Sequence, residues 1–266
     1  MSISSYQPTD TPPQPHHPIT GNSSSSIEKN AGHISNAETL SRTGTFGQAG
    51  LPVVTVPTSV ASGLGTPTAL GIGAFATTLT TLSLSLMEWR GVDVKNVFIA
   101  NFFFLAAVGM VITAQWELVR GNSFAYVSLS AFGLFYGGYG AIVTPAFGVE
   151  AMFEGKMEQY YNAMGFFMVI WTVLNLFFTI ESFTISIAYA GIFLFVEFGF
   201  LFIAAANFAL ADGHARNGLI LQKVGGACCF VSGMFGWYTM GHLMCQRALF
   251  FSFPMGDTSR FFERRS

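Results

Sequence analysis

From about residue 67 onward the chain alternates long apolar stretches with short polar ones. The apolar stretches run over about 67–87, 95–118, 124–144, 160–179, 184–210 and 224–245. Each is about 20 residues or longer, which at 1.5 Å per residue carries an α-helix across a hydrocarbon layer about 30 Å thick. Pro67 stands near the start of the first stretch, where a missing amide proton costs little. The third stops before Pro145. The pattern predicts an all-α membrane protein with six transmembrane helices.

Residues 1–60 contain no such run. They hold Pro12, Pro13, Pro15 and Pro18, a serine run at 23–26, and no secretory-signal pattern. So few apolar groups cannot offset the entropy of ordering the segment, and a disordered tail is expected. The expected organisation is this tail, a six-helix domain over 61–250 and a short C-terminal tail over 251–266. Six crossings put both termini on one side. Arg120, Arg247, Arg260, Arg264 and Arg265 flank the spans on that side, and Arg90, Lys95, Lys156, Arg216 and Lys223 on the other. The count is nearly tied, and the basic C-terminus and long soluble N-terminus tip the expectation to cytoplasmic termini.

Glycines recur at close spacing in the first, third and sixth stretches: Gly71 and Gly73, the set from Gly133 to Gly140, and Gly225, Gly226, Gly233, Gly236 and Gly241. Small residues let helix backbones approach in lipid, so these helices are expected to pack against neighbours. The second and fifth, crowded with Phe, are expected to show a face to lipid or to another subunit.

Composition strengthens the membrane reading. Charged residues make up 10% of the chain, against about 25% in a soluble domain, and the mean hydropathy is +0.49. A net charge of −2 with no basic patch gives no reason to expect nucleic acid binding. Cys228, Cys229 and Cys245 lie in one apolar stretch without metal-ligand spacing and read as small helix residues. GxSxG, Walker and HExxH patterns are absent, so no catalytic residue, cofactor or metal site is expected and the chain is not read as an enzyme.

Polar groups inside a membrane are costly and are therefore the first site candidates. Glu197 sits mid-span in FLFVEFGFLF. Desolvation disfavours the charged form of a carboxyl there, which suits either a proton-coupling group or a hydrogen-bonded structural glutamate. Glu117 ends the second stretch with Arg120 three residues on and Asn122 beyond. The spacing fits both an interfacial ion pair and a polar rim that orients an entering anion. Asn101, Gln115, Asn175, Asn207 and His242 are weaker candidates. At 66–73, proline and glycines open a helix whose N-terminus carries partial positive charge and free N–H donors, a place for a carboxylate.

Several strings in fixed order resemble the acetate uptake transporter family, which includes the bacterial succinate/acetate permease and fungal acetate and ammonia-export membrane proteins. TPTALGIGAF resembles the family's NPAPLGL signature, and WELVRGNSF resembles WExxxGNTF. NAMGFFMVIWT, KVGGACCF and FPMG resemble its fourth-helix, GG-x-F and closing PVG strings. The resemblance implies a six-helix pore-like protomer, commonly a hexamer, that moves acetate, other small monocarboxylates and in some members succinate, together with protons. Carried over, Pro67, Leu70 and Gly71 fall on the signature and Glu117, Gly121 and Asn122 on the second motif. Thr66 and Ala69 replace the signature's Asn and second Pro, Ala106, Ala107 and Met110 replace a Gly-Gly and a Gln, and Glu197 replaces a neutral residue.

The expectation is thus a proton-coupled carrier or channel of small carboxylates in a plasma membrane, forming a homo-oligomer. Thr66, Pro67, Leu70, Gly71, Glu117 and Asn122 are expected at the substrate, Phe75, Phe135 and Tyr136 at a hydrophobic gate, and Glu197 at the proton. Two rivals stay open: a divergent member that senses or adapts to weak acid without transporting, and an ammonia or ammonium exporter.

Overall fold

A computed structural model describes residues 65–245, 250 and 253–262. The tail expected over 1–60 lies outside the described residues. Six helices are long and apolar enough to cross a membrane: α1 (Thr68–Leu86), α2 (Asn96–Val119), α3 (Ser123–Val143), α4 (Met157–Ser182), α5 (Ile187–Ala211) and α6 (Ala215–Cys245). Among the described residues the protein is all-α, apart from one isolated bridge between Ser186 and Asp257. Consecutive helices run antiparallel. The starts of α1, α3 and α5 and the ends of α2, α4 and α6 therefore share one face, called face A, and the opposite ends share face B.

Helix α6 begins well before the apolar stretch at about 224. Its polar first turns reach past the hydrocarbon length and tie down face B: Lys223 Nζ pairs with Glu88 Oε2 at 2.8 Å, and Gln222 Nε2 reaches Leu86 O at 3.5 Å. Helix α2 is not uniform either. Residues Asn101–Val108 wind as a π-helix before the α-helical Gly109–Val119. The widened turns lie against the glycine face of α3, where a Cβ on Gly140 would stand 3.0 Å from Phe102 Cβ and one on Gly133 3.2 Å from Ala107 O.

Glycine decides packing most sharply where α5 crosses α6. A Cβ on Gly225 would lie 3.1 Å from Gly199 O and 3.3 Å from Ile203 N, both backbone atoms that cannot rotate away. Lipid offers no hydrophobic push between helices, so close backbone approach of this kind supplies the packing energy. Helices α3 and α4 meet differently, through large rings. Phe135 packs on Trp171 at 5.0 Å and on Phe167 at 5.8 Å, and Phe124 on Phe178 at 6.4 Å. Outward-facing apolar side chains such as Phe104, Leu134 and Ile170 are exposed, as surfaces turned to lipid would be.

Residues 253–258, expected as part of a tail, fold back on face A as a strap. The first amides of α5 have no intrahelical acceptor. Ile187 N donates to Gly256 O at 2.8 Å and Ala188 N to Met255 O at 3.2 Å. On α6, Tyr238 Oη donates to Pro254 O at 2.8 Å, and His242 Nδ1 meets Phe253 O at 2.6 Å.

The crossing of α5 and α6 gives a first prediction. Gly225→Val overpacks two backbones and is expected to cost about 1–3 kcal/mol, seen as a lower unfolding midpoint of the detergent-solubilised protein. Gly138→Ala, where a Cβ meets nothing within 4 Å, is expected to leave the midpoint unchanged. Equal midpoints for the two variants would contradict the packing described.

Candidate functional site

The end of α2 and the start of α3 form one built turn. Gly121 takes φ +77°, a left-handed conformation that lets the chain reverse within two residues. Asn122 then caps α3, its side-chain oxygen accepting from Ala125 N at 3.3 Å. Its amide Nδ2 turns back and donates to Glu117 Oε2 at 2.8 Å, and its backbone N donates to Glu117 O at 2.9 Å. The Glu117 side chain is fully buried. Thr68, the first residue of α1, donates its hydroxyl to Glu117 Oε1, and Arg120 Nη1 stands 3.7 Å from the same oxygen. The carboxylate of Glu117 thus lies beside the N-terminus of α1, where the helix dipole favours negative charge. The place expected for a substrate carboxylate is faced by one of the protein's own.

Beside this cluster opens a cavity of about 170 Å³, cavity A. Thr68, Asn122, Ser128 and Tyr189 supply its polar wall, and Phe75 and Phe132 lie among its apolar lining. It has room for a small carboxylate and a few waters, whose share of liquid volume is about 30 Å³ each. From face B a second cavity of about 380 Å³, cavity B, reaches in as far as Tyr139. Its lining is more polar and includes Asp93, Lys95, Glu150, Asn207 and Tyr160. Burial pushes the Lys95 ammonium below its ordinary pKa, and the Asp93, Glu150 and Glu88 carboxylates pull it back up.

Aromatic rings fill the space between the cavities. Phe132 packs on Phe75 at 5.8 Å, on Phe193 at 6.0 Å and on Phe200 at 6.3 Å. Phe135 packs on Phe200 at 5.1 Å, on Tyr136 at 5.4 Å and on Tyr139 at 6.0 Å. Tyr136 stacks on Phe102 of α2 at 6.1 Å. From Phe132 to Tyr139 the partition is about 10 Å thick at 1.5 Å per helical residue. The two cavities share no lining residue.

The residues singled out in the sequence fall into separate places. Glu117 and Asn122 are joined with Thr68 at the edge of cavity A, and Phe75 lines it. Thr66 and Pro67 line a different hollow, with Trp116 and Arg120. Leu70 is 54% exposed on the outside of α1. Gly71 is buried against Thr113 and Leu129, where a Cβ would come within 2.9 Å and 3.0 Å of their side chains. Phe135 and Tyr136 belong to the aromatic partition. Glu197 is buried between α5 and α4 and lines neither cavity. It accepts from Asn175 Nδ2 at 2.7 Å, and the same nitrogen reaches Phe193 O at 3.0 Å. Among the described residues no cluster of His, Cys, Asp or Glu could hold a metal ion. Sequence reasoning held Asn207 of cavity B as a weaker candidate and missed Tyr189, Ser128 and the rest of that cavity's polar set, because single polar residues near span ends carry no spacing signal.

Six membrane-length helices with a cavity entering from each face and an aromatic partition between them describe an integral multi-pass membrane protein of the transporter and channel class. The chain belongs to the GPR1/FUN34/yaaH family, whose sequence pattern matches residues 49–257. It is 50% identical to the acetate transporter protein patA of Penicillium expansum over 201 residues, 76% of this chain and 81% of that protein. It is 33% identical to protein alcS of Aspergillus fumigatus over 216 residues, 76% and 79% of the two chains. Its fold is similar to that of the bacterial acetate channel SatP, with a TM-score of 0.57 at 20% identity, over 73% of this chain and 99% of that one.

The hydrogen bonds at face A predict the effect of Asn122→Ala. It removes a helix cap and a donor to a buried carboxylate, and is expected to cost about 2 kcal/mol or more. Thr66→Ala, outside the cluster, is expected to change thermal unfolding in detergent by less than about 0.5 kcal/mol. Asn122→Ala with wild-type stability would show that the Glu117 bonds do not hold face A together.

Proposed function

We propose that the protein carries acetate and similar short monocarboxylates across the plasma membrane together with protons. The observation that carries this reading is the pair of cavities on opposite faces with only an aromatic partition about 10 Å thick between them. The 50% identity to an acetate transporter supports the choice of substrate. Both termini are cytoplasmic in this reading, so that face A is the cytoplasmic mouth, and the working form is a homo-oligomer.

In cavity A a carboxylate meets donors that Glu117 now occupies, the Thr68 hydroxyl and the Asn122 amide. Two carboxylates side by side repel, and a proton shared between them removes the repulsion. A proton taken by Glu117 therefore frees Thr68 and Asn122 for the substrate, which couples occupancy to protons at this residue. Glu197, bonded to Asn175 and set back from both cavities, holds α5 to α4 in this scheme. The short apolar tail of the substrate faces Phe75 and Phe132. The partition of Phe132, Phe135 and Tyr136 is the gate, since an apolar constriction excludes water until its rings turn aside.

Uptake of labelled acetate, by cells lacking their own carrier and at acid and neutral external pH, tests the proposal. Wild type is expected to raise uptake with a preference for acid pH. Glu117→Gln is expected to lose that pH preference, while Glu197→Gln keeps it. Protein present at the membrane with no uptake of any short carboxylate would exclude the reading, and loss of the pH preference in Glu197→Gln alone would move the proton site to α5.

A further inference from the structure

Besides Thr68 and Asn122, cavity A is lined by Ile185, in the turn before α5, and by Tyr189 in the first turn of α5. The Tyr189 hydroxyl makes no hydrogen bond among the described residues, and its phenol lies close enough to Glu117 to feel that charge. A phenol on the rim of a small cavity is a donor for whatever anion enters. Its position is set from outside the membrane domain's own helix pairs. Ser186 Oγ accepts from Tyr189 N at 3.2 Å, and the next two amides, of Ile187 and Ala188, go to the strap. Thr258 adds two more ties, its N to Ile185 O at 3.4 Å and its Oγ1 to Phe183 O at 2.7 Å. Gly256 takes φ +67°, and a Cβ there would meet Ile187 Cβ at 3.0 Å, so the strap lies flat only with glycine at this point. The two strap bonds to α5 itself, at Ile187 and Ala188, therefore fall within one turn of Tyr189, and the Thr258 ties hold the turn that leads into it.

We propose that Tyr189 is a further substrate-contacting residue of cavity A, donating its hydroxyl to the bound carboxylate, and that the strap at 253–258 is the element that positions it. The proposal rests on the carboxylate-transport reading and deepens it. A carboxylate then lies between two donor walls, Thr68 and Asn122 on one side and Tyr189 on the other. Its alkyl tail is confined to the space above Phe75 and Phe132, which favours short acids. Thr258 is a positioning residue, acting through Ile185 and the first turn of α5.

The test is concentration-dependent acetate uptake by the full chain, scaled to protein at the membrane. Tyr189→Phe is expected to raise KM about tenfold, the loss of one hydrogen bond to a charged group, with Vmax within about twofold. Thr258→Val is expected to raise KM about threefold, and Thr258→Ser to restore it. The double variant Tyr189→Phe/Thr258→Val is expected to match Tyr189→Phe alone, because the strap has no hydroxyl left to place. Unchanged KM in Tyr189→Phe with uptake intact overturns this proposal alone. Full additivity in the double variant, or a Thr258→Val defect confined to Vmax, overturns the role of the strap. Wild type without uptake of any short carboxylate overturns the transport reading and this proposal with it.

Discussion

A buried carboxylate at the meeting point of three helices governs the arrangement of face A. Burying Glu117 away from water is costly unless its oxygens find donors. They find them on two other helices: the first hydroxyl of α1 and the capping amide of α3. The same bonds join the start of α1, the end of α2 and the start of α3 at one point, beside a helix N-terminus that favours negative charge. Cavity A opens against that point. In the proposed function a carboxylate that enters shares these donors, and the structural bond and the functional one are then the same bond.

Away from this knot two packing regimes divide the protein. Small residues bring backbones together where α5 crosses α6, where α6 runs along α1 and where α2 lies on α3, as at Gly225, Gly236 and Gly140. Between α3 and its neighbours α4 and α5, rings hold the backbones apart and fill the interior. The first regime is stiff, because its contacts are backbone atoms at Gly225 and Cβ atoms fixed to the backbone at Gly236 and Gly140. The second can change by turning side chains about their own bonds. The rings lie between the two cavities, within a frame closed by glycines.

The six spans and most of their ends were legible in the sequence, because hydrocarbon thickness sets a length that apolar runs must meet. The early start of α6 was not, since the turns holding Arg216, Asn217, Gln222 and Lys223 are polar and lie beyond that thickness. Glu117 and Asn122 were legible through the WELVRGN string, but the third member of their cluster is Thr68. Pro67 and Thr66 of the signature string, one and two residues before it, line a different hollow. Leu70 shows the same limit. Its place in a signature string says nothing of which side of α1 it occupies, and it lies outward. Glu197 was legible as a charged residue in an apolar run, but its partner was not, because Asn175 comes from the preceding helix, α4, 22 residues earlier. The strap was hidden for a physical reason as well. A short extended segment is ordered by the orphan amides of α5, and nothing in its own composition announces them.

The most direct measurement of the central claim is anomalous diffraction from crystals grown with bromoacetate, whose bromine marks the tail of a short carboxylate. A bromine peak above Phe75 and Phe132, with the carboxylate between Thr68, Asn122 and Tyr189, is the predicted result. A peak confined to the outer hollow by Thr66 and Trp116, or none within the helices at a concentration that saturates transport, would contradict it.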